Sequence, residues 1–138
     1  VRFGEALWCG PVERLQRKPP WHELKNFRVV SLGPLIKGRA PVLLVLGGCG
    51  SCGYSNGVWR SLDAGVTWEE VSPNDEGYIG NDGRVVHRKW CGRESFAAAG
   101  AWTEEAGCLK GLVYVVGGLG PSMPMGDVWA SEDLGKTF

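Results

Sequence analysis

The sequence repeats itself. The stretch VLGGCGSCGYSNGVWRSLDAGVTW, Val45 to Trp68, returns as VVGGLGPSMPMGDVWASEDLGKTF, Val115 to Phe138, at a constant offset of 70 residues with no gap. Gly47-Gly48 falls on Gly117-Gly118, Val58-Trp59 on Val128-Trp129, and both copies close in Ser-x-Asp-x-Gly-x-Thr-aromatic. So many spaced identities in one register mark an internal repeat. A repeated unit of this size buries its apolar face by stacking on its neighbours.

Glycine contributes 22 of the 138 residues and tryptophan 7, against a usual glycine share of ~7%. Glycine-rich turns between short apolar and aromatic runs predict an all-β chain. The 15 basic and 15 acidic side chains cancel, which removes the basic footprint of a nucleic-acid binder. The longest apolar run, Pro41 to Leu46, is strand-sized and far below the ~20 residues of a membrane span. The chain opens on Val1 and closes inside the second copy, so we expect an excerpt of a longer protein, from which a signal peptide could be missing. Five cysteines, an odd count, leave the redox compartment open.

In chain order, residues 1–25 read as a degenerate partial copy. Trp8 stands for Trp59, and Trp21-His22-Glu23-Leu24 for Trp68-Glu69-Glu70-Val71. Residues 26–72 are the first full unit, with strands expected at 26–32, 41–47, 58–61 and 66–72 and a glycine-rich loop at 48–57. Residues 73–92 are an insert, with a turn at Asn81-Asp82-Gly83 and a possible strand at 84–90 that would make a small hairpin. Residues 93–138 are the second unit, with strands at 93–101, 112–117 and 128–131 and a fourth beginning at Lys136. Four short strands per unit, each joined to the next by a short loop, describe an antiparallel sheet of the propeller-blade kind.

Arg93, Phe96-Ala97-Ala98, the run Leu112 to Gly118, and Asp127-Val128-Trp129 resemble a kelch repeat. Gly47, Gly48, Trp59, Gly117, Gly118 and Trp129 carry that likeness through both copies. Ser61, Asp63, Gly65, Thr67 and Trp68, and again Ser131, Asp133, Gly135, Thr137 and Phe138, are similar to the Asp-box turns of sialidase-like propellers. The resemblance implies a fragment of a six- to eight-bladed β-propeller, about two to three four-stranded antiparallel blades of it. Sialidases also need an arginine cluster, a tyrosine–glutamate pair and an acidic aspartate, and galactose-oxidase-like propellers need tyrosine and histidine copper ligands. Neither set is assignable in this sequence.

Asp63 and Asp133 occupy the same turn of their own units, so they read as turn residues: the carboxylate accepts backbone N–H groups and the glycine takes φ > 0. Glu69-Glu70 and Glu104-Glu105 are neighbours on strands and point to opposite faces, which a glycosidase pair cannot do. Cys49 and Cys52, in a loop between second and third strands, share one face of the fold with His87 and Cys91 of the insert. A Cys3His set of this kind suits tetrahedral zinc or a disulfide clamp on the insert; the alternative is unlinked thiols in a glycine-rich loop, with no cofactor expected.

The function expected is a non-catalytic binding module that presents loops 48–57, 73–92 and 119–127 to a protein or glycan partner. Tyr54, Tyr78, His87, Trp90 and Met123 are the candidate contacts, because aromatic residues and methionine dominate hot spots and adaptable surfaces. The alternative is part of a sialidase-like hydrolase or galactose-oxidase-like enzyme with its active site in other blades.

Overall fold

The structure, a computed structural model, describes residues 15, 18–35 and 38–138. The readings made at Trp8 and over most of the degenerate first copy lie outside the described residues. The described chain is all-β, with nine strands and no helix, and so no helix long and apolar enough to cross a membrane.

The first unit forms the expected four-stranded antiparallel sheet. Strands β1 (Arg28–Pro34), β2 (Pro41–Gly50), β3 (Gly53–Ser61) and β4 (Glu69–Ser72) lie side by side in sequence order. The insert supplies the expected small hairpin, β5 (Tyr78–Ile79) paired with β6 (Val85–Val86). Its turn is closed by Gly83 N–H donating to the Gly80 carbonyl, 2.9 Å. The second unit is a three-stranded antiparallel sheet of β7 (Ala97–Glu105), β8 (Cys108–Leu119) and β9 (Pro124–Ser131).

Several boundaries differ from expectation, each for a local reason. The glycine-rich segment 48–57 is not a loop: it is a hairpin whose turn is only Ser51-Cys52. Gly47 and Gly48 take φ of 59° and 106° and open a bulge between Leu46 and Gly48. Pairing then resumes at Gly48↔Ser55 and Cys49↔Tyr54. Glycine there bends a strand rather than ending one. Val66–Trp68 stay in the turn that follows Ser61, which shortens β4. Lys136–Phe138 likewise continue their turn and open no fourth strand. The strand expected over 84–90 is confined to β6.

The bulge recurs. Gly117 and Gly118 sit at φ 59° and 111°, with the register shift between Val116 and Gly118. In each copy the bulge admits an incoming segment, Lys25 bridging to Cys49 and Glu94 to Leu119. A Cβ at Gly48 would lie 2.8 Å from the Lys25 carbonyl oxygen, and one at Gly118 2.9 Å from that of Glu94. Gly53 also has positive φ, 102°, but faces open space. We expect Gly53→Ala to cost about 1 kcal/mol from backbone strain alone, and Gly48→Ala about 2 kcal/mol or more because overlap with backbone adds to it. Urea unfolding of the two variants checks the difference; equal midpoints would remove the close-approach explanation.

These bridges show that the structural repeat starts earlier than the sequence identities. Trp21 and Phe27 precede the first sheet as Trp90 and Phe96 precede the second. Trp21 packs edge-on to Trp68 at 4.5 Å between ring centroids, and Trp90 edge-on to Phe138 at 5.9 Å. Trp21 is therefore the counterpart of Trp90, not of Trp68 as its neighbours in sequence indicated.

The two sheets pack face to face. Leu44, Leu46 and Val58 on one face of the first sheet are buried against Trp90, Phe96, Val113 and Val115. A Cβ on Gly100 of β7 would lie 2.5 Å from Val30 Cγ1 and 2.7 Å from Leu32 Cδ2, so the alanine-and-glycine strand lets β1 and β7 approach. Val45 and Trp59, paired across strands on the opposite face, correspond by repeat to Val115 and Trp129. The front of one unit thus meets the back of the next.

Candidate functional site

The two Ser-x-Asp-x-Gly-x-Thr turns are densely hydrogen-bonded. Ser61 Oγ donates to Asp63 Oδ1 at 2.7 Å and accepts Gly65 N–H at 2.8 Å. Asp63 accepts Thr67 N–H at 2.8 Å and the Thr67 hydroxyl at 2.5 Å, and Trp68 Nε1–H caps the Gly65 carbonyl at 2.9 Å. Ser131, Asp133, Gly135 and Thr137 repeat the set within a few tenths of an ångström. Gly135 also has a packing reason, since its Cβ would press on Leu44 and Val58 at 2.8 Å. Both carboxylates serve their own turn.

The Thr67 hydroxyl and N–H hold the Asp63 carboxyl down at about 2, with Ser61 assisting. Around Asp133 burial raises the pKa, but the donors from Thr137, Ser131 and Lys136 outweigh it and the net direction is down. A carboxyl depressed in the folded state stabilises above its ordinary pKa near 4, and that contribution is lost as pH falls toward 2. Wild type should therefore melt higher than Asp63→Asn at pH 7, with the gap closing between about pH 4 and pH 2. A gap independent of pH in thermal melts would contradict this.

The adjacent glutamates are tied to edge cations. Arg60 Nη2 approaches Glu69 Oε1 at 2.5 Å, and Lys110 Nζ lies 2.8 Å from Glu105 and 2.9 Å from Glu132.

Arg93 is fully buried. Its guanidinium forks onto Asp127, at 2.5 Å to Oδ1 and 3.0 Å to Oδ2, and donates to the Cys91 and Gly117 carbonyls at 3.0 and 2.9 Å. The fork holds the Asp127 carboxyl down at about 2, against some burial, and Trp129 Nε1–H contributes a 2.7 Å hydrogen bond. The arginine, aspartate and tryptophan of the kelch-like pattern are thus one bonded cluster, with Arg93 buried and Asp127 at the surface, which clamps the insert's end to the β8–β9 bulge.

A second polar cluster holds the insert to the first sheet. Asn56 is fully buried: its Oδ1 accepts Asp75 N–H at 2.7 Å, and its Nδ2 donates to the Asp75 and Trp90 carbonyls at 2.8 Å each. Lys89 Nζ donates to the Asn56 and Pro73 carbonyls at 2.7 and 2.6 Å and to Ser72 Oγ at 2.8 Å. Burial lowers its pKa to about 8. Nothing in the sequence alone marked Asn56 or Lys89, since single polar residues in a glycine-rich stretch or a polar insert look like solvated ones.

These anchors pin the insert through hydrogen bonds and an ion pair. Cys49, Cys52 and Cys91 are free thiols, as is Cys108. Among the described residues no group of three or more His, Cys, Asp and Glu is placed to hold a metal ion. Cys49 sits in β2 and Cys52 in the exposed turn. His87 and Cys91 instead line a groove from which both are absent. Burial pushes the Cys91 thiol up, although the Arg93 charge pulls the other way.

That groove, of about 580 Å³, is where the three expected loops meet. Gly53 and Tyr54 come from the start of β3. Asp75, Glu76, Val85, His87, Cys91 and Gly92 come from the insert, and Pro121, Ser122, Met123 and Met125 from the β8–β9 connection. Of the expected contacts, Tyr54, His87 and Met123 line it together. Tyr78 does not: it is half-exposed on the hairpin, under the Arg88 guanidinium at 5.5 Å. Trp90 is no surface contact at all. It is 0% exposed, a core residue against Phe96. Met125, on β9, and Val85, on β6, join the groove without having been expected there.

Comparison with protein-family models, with curated proteins and with solved structures gave no match.

Proposed function

We propose that this chain is a repeat-scaffold binding module of β-propeller type, which presents the groove between β3, the insert and the β8–β9 connection to a protein or glycan partner. The observation that carries the reading is convergence: the segments in which the two copies differ meet around one mostly apolar groove, while the segments they share form turns and core. Concave, largely apolar sites with a few polar groups are the usual form of a binding site. The scaffold half of the reading is supported by what the second sheet leaves uncovered. Leu46 and Val58 are buried by the following unit, yet their counterparts Val116 and Val128 are 40% and 65% exposed. An apolar face of this kind is the surface on which a further unit would stack.

Tyr54→Ala and Met123→Ala should each weaken a recovered partner by about 30-fold if they act as hot spots. Leu109→Ala, on an exposed position at the start of β8 outside the groove lining, should leave affinity unchanged. Calorimetry or surface binding on the three variants decides, and unchanged affinity in both groove variants would overturn the site.

A further inference from the structure

We infer that the groove takes an extended protein segment, with an apolar side chain on the Met123–Met125 wall and a lysine or arginine beside Glu76. This inference rests on the groove being the binding site. Its wall is Met123, Met125, Val85 and Pro121, with Tyr54 the one aromatic ring besides the His87 imidazole. Methionine adapts to varied apolar side chains, whereas a sugar needs flat aromatic platforms and many directed hydrogen bonds.

The charge is one-sided. Asp75 and Glu76 line the groove, and no lysine or arginine does. Arg88 and Lys89, whose charges reach Asp75, line a neighbouring cavity that Asp75 borders as well, so Asp75 is already offset and Glu76 carries the groove's free charge. Asp75 is further committed to Gly77 N–H at 2.9 Å. Glu76 makes no ion pair among the described residues. An anionic ligand, a sialylated or sulfated glycan included, would meet the Glu76 carboxylate here with no lysine or arginine in the lining to offset it; a cationic segment meets attraction.

The chain's two methionines both line the groove, so carbon-13-labelled methionine methyls report on this site. The probes are an acetylated, amidated pentapeptide Gly-Lys-Leu-Lys-Gly and its counterpart with glutamates for lysines. The lysine peptide should shift both methyl signals and bind about tenfold tighter than the glutamate peptide at low salt. That preference should shrink at high salt and invert in Glu76→Lys. Equal binding of both peptides, weakened by Tyr54→Ala, would overturn the charge inference and leave the groove reading standing. Methyl signals unmoved by either peptide would overturn the groove as a peptide site as well.

Discussion

Replacing Trp90 with alanine is expected to destabilise the protein by about 3–5 kcal/mol, the cost of an aromatic cavity in a packed core. Trp90 touches both units. A Cβ on Gly47 would lie 3.0 Å from its ring, which also packs against Phe96 and Phe138 at 5.6 and 5.9 Å. The Arg93 guanidinium lies 5.8 Å from its centroid. Removing the indole opens the seam between the sheets and withdraws a wall from the Arg93–Asp127 cluster. Trp90→Phe should cost much less, about 1–2 kcal/mol, since the indole N–H has no hydrogen-bond partner to lose. Denaturant unfolding of both variants checks this. If Trp90→Ala unfolds like wild type, the tryptophan is not the wedge between the units.

The second large effect is expected at Asn56. Asn56→Ala strands the Asp75 N–H and the carbonyls of Asp75 and Trp90, all now served by one side chain. Each buried group left unpaired costs about 1–3 kcal/mol; with some rescue by water we expect a total of about 3 kcal/mol. Asn56→Asp should be at least as damaging, because it keeps the acceptor for Asp75 N–H but turns an oxygen toward two carbonyls. The insert carries half of the groove's lining, so its release should also appear as protease cleavage within residues 73–92 and as loss of groove binding. An Asn56→Ala protein with an uncut insert and unchanged stability would show that Lys89 and Arg93 suffice as anchors.

Both residues were misjudged or missed from sequence, and the reason is shared. Trp90 follows a polar insert and looked like a surface aromatic. The signal that it belongs to the core was present in Trp21 and Phe27, whose spacing Trp90 and Phe96 repeat, but one residue off the register of the double glycines. Asn56 aligns with Gly126, so the repeat gave no hint that an amide there matters. A Cys-x-x-Cys pair is conspicuous in a sequence and a single asparagine is not.

The sequence by itself determined the repeating parts: an all-β chain, four strands in the first unit, turns closed by Asp63 and Asp133, and two glycines at one place in each copy. Local chemistry dictates these, through period-two burial, the few residues that tolerate positive φ, and carboxylates that satisfy nearby N–H groups. Only the tertiary structure decided that segment 48–57 is a hairpin, that Trp90 and Arg93 are buried, and that Tyr54, His87 and Met123 share a wall with Met125. Those facts depend on one unit's back lying on another's front and on what buried polar groups find across that seam. Spacing along a chain does not encode such distances.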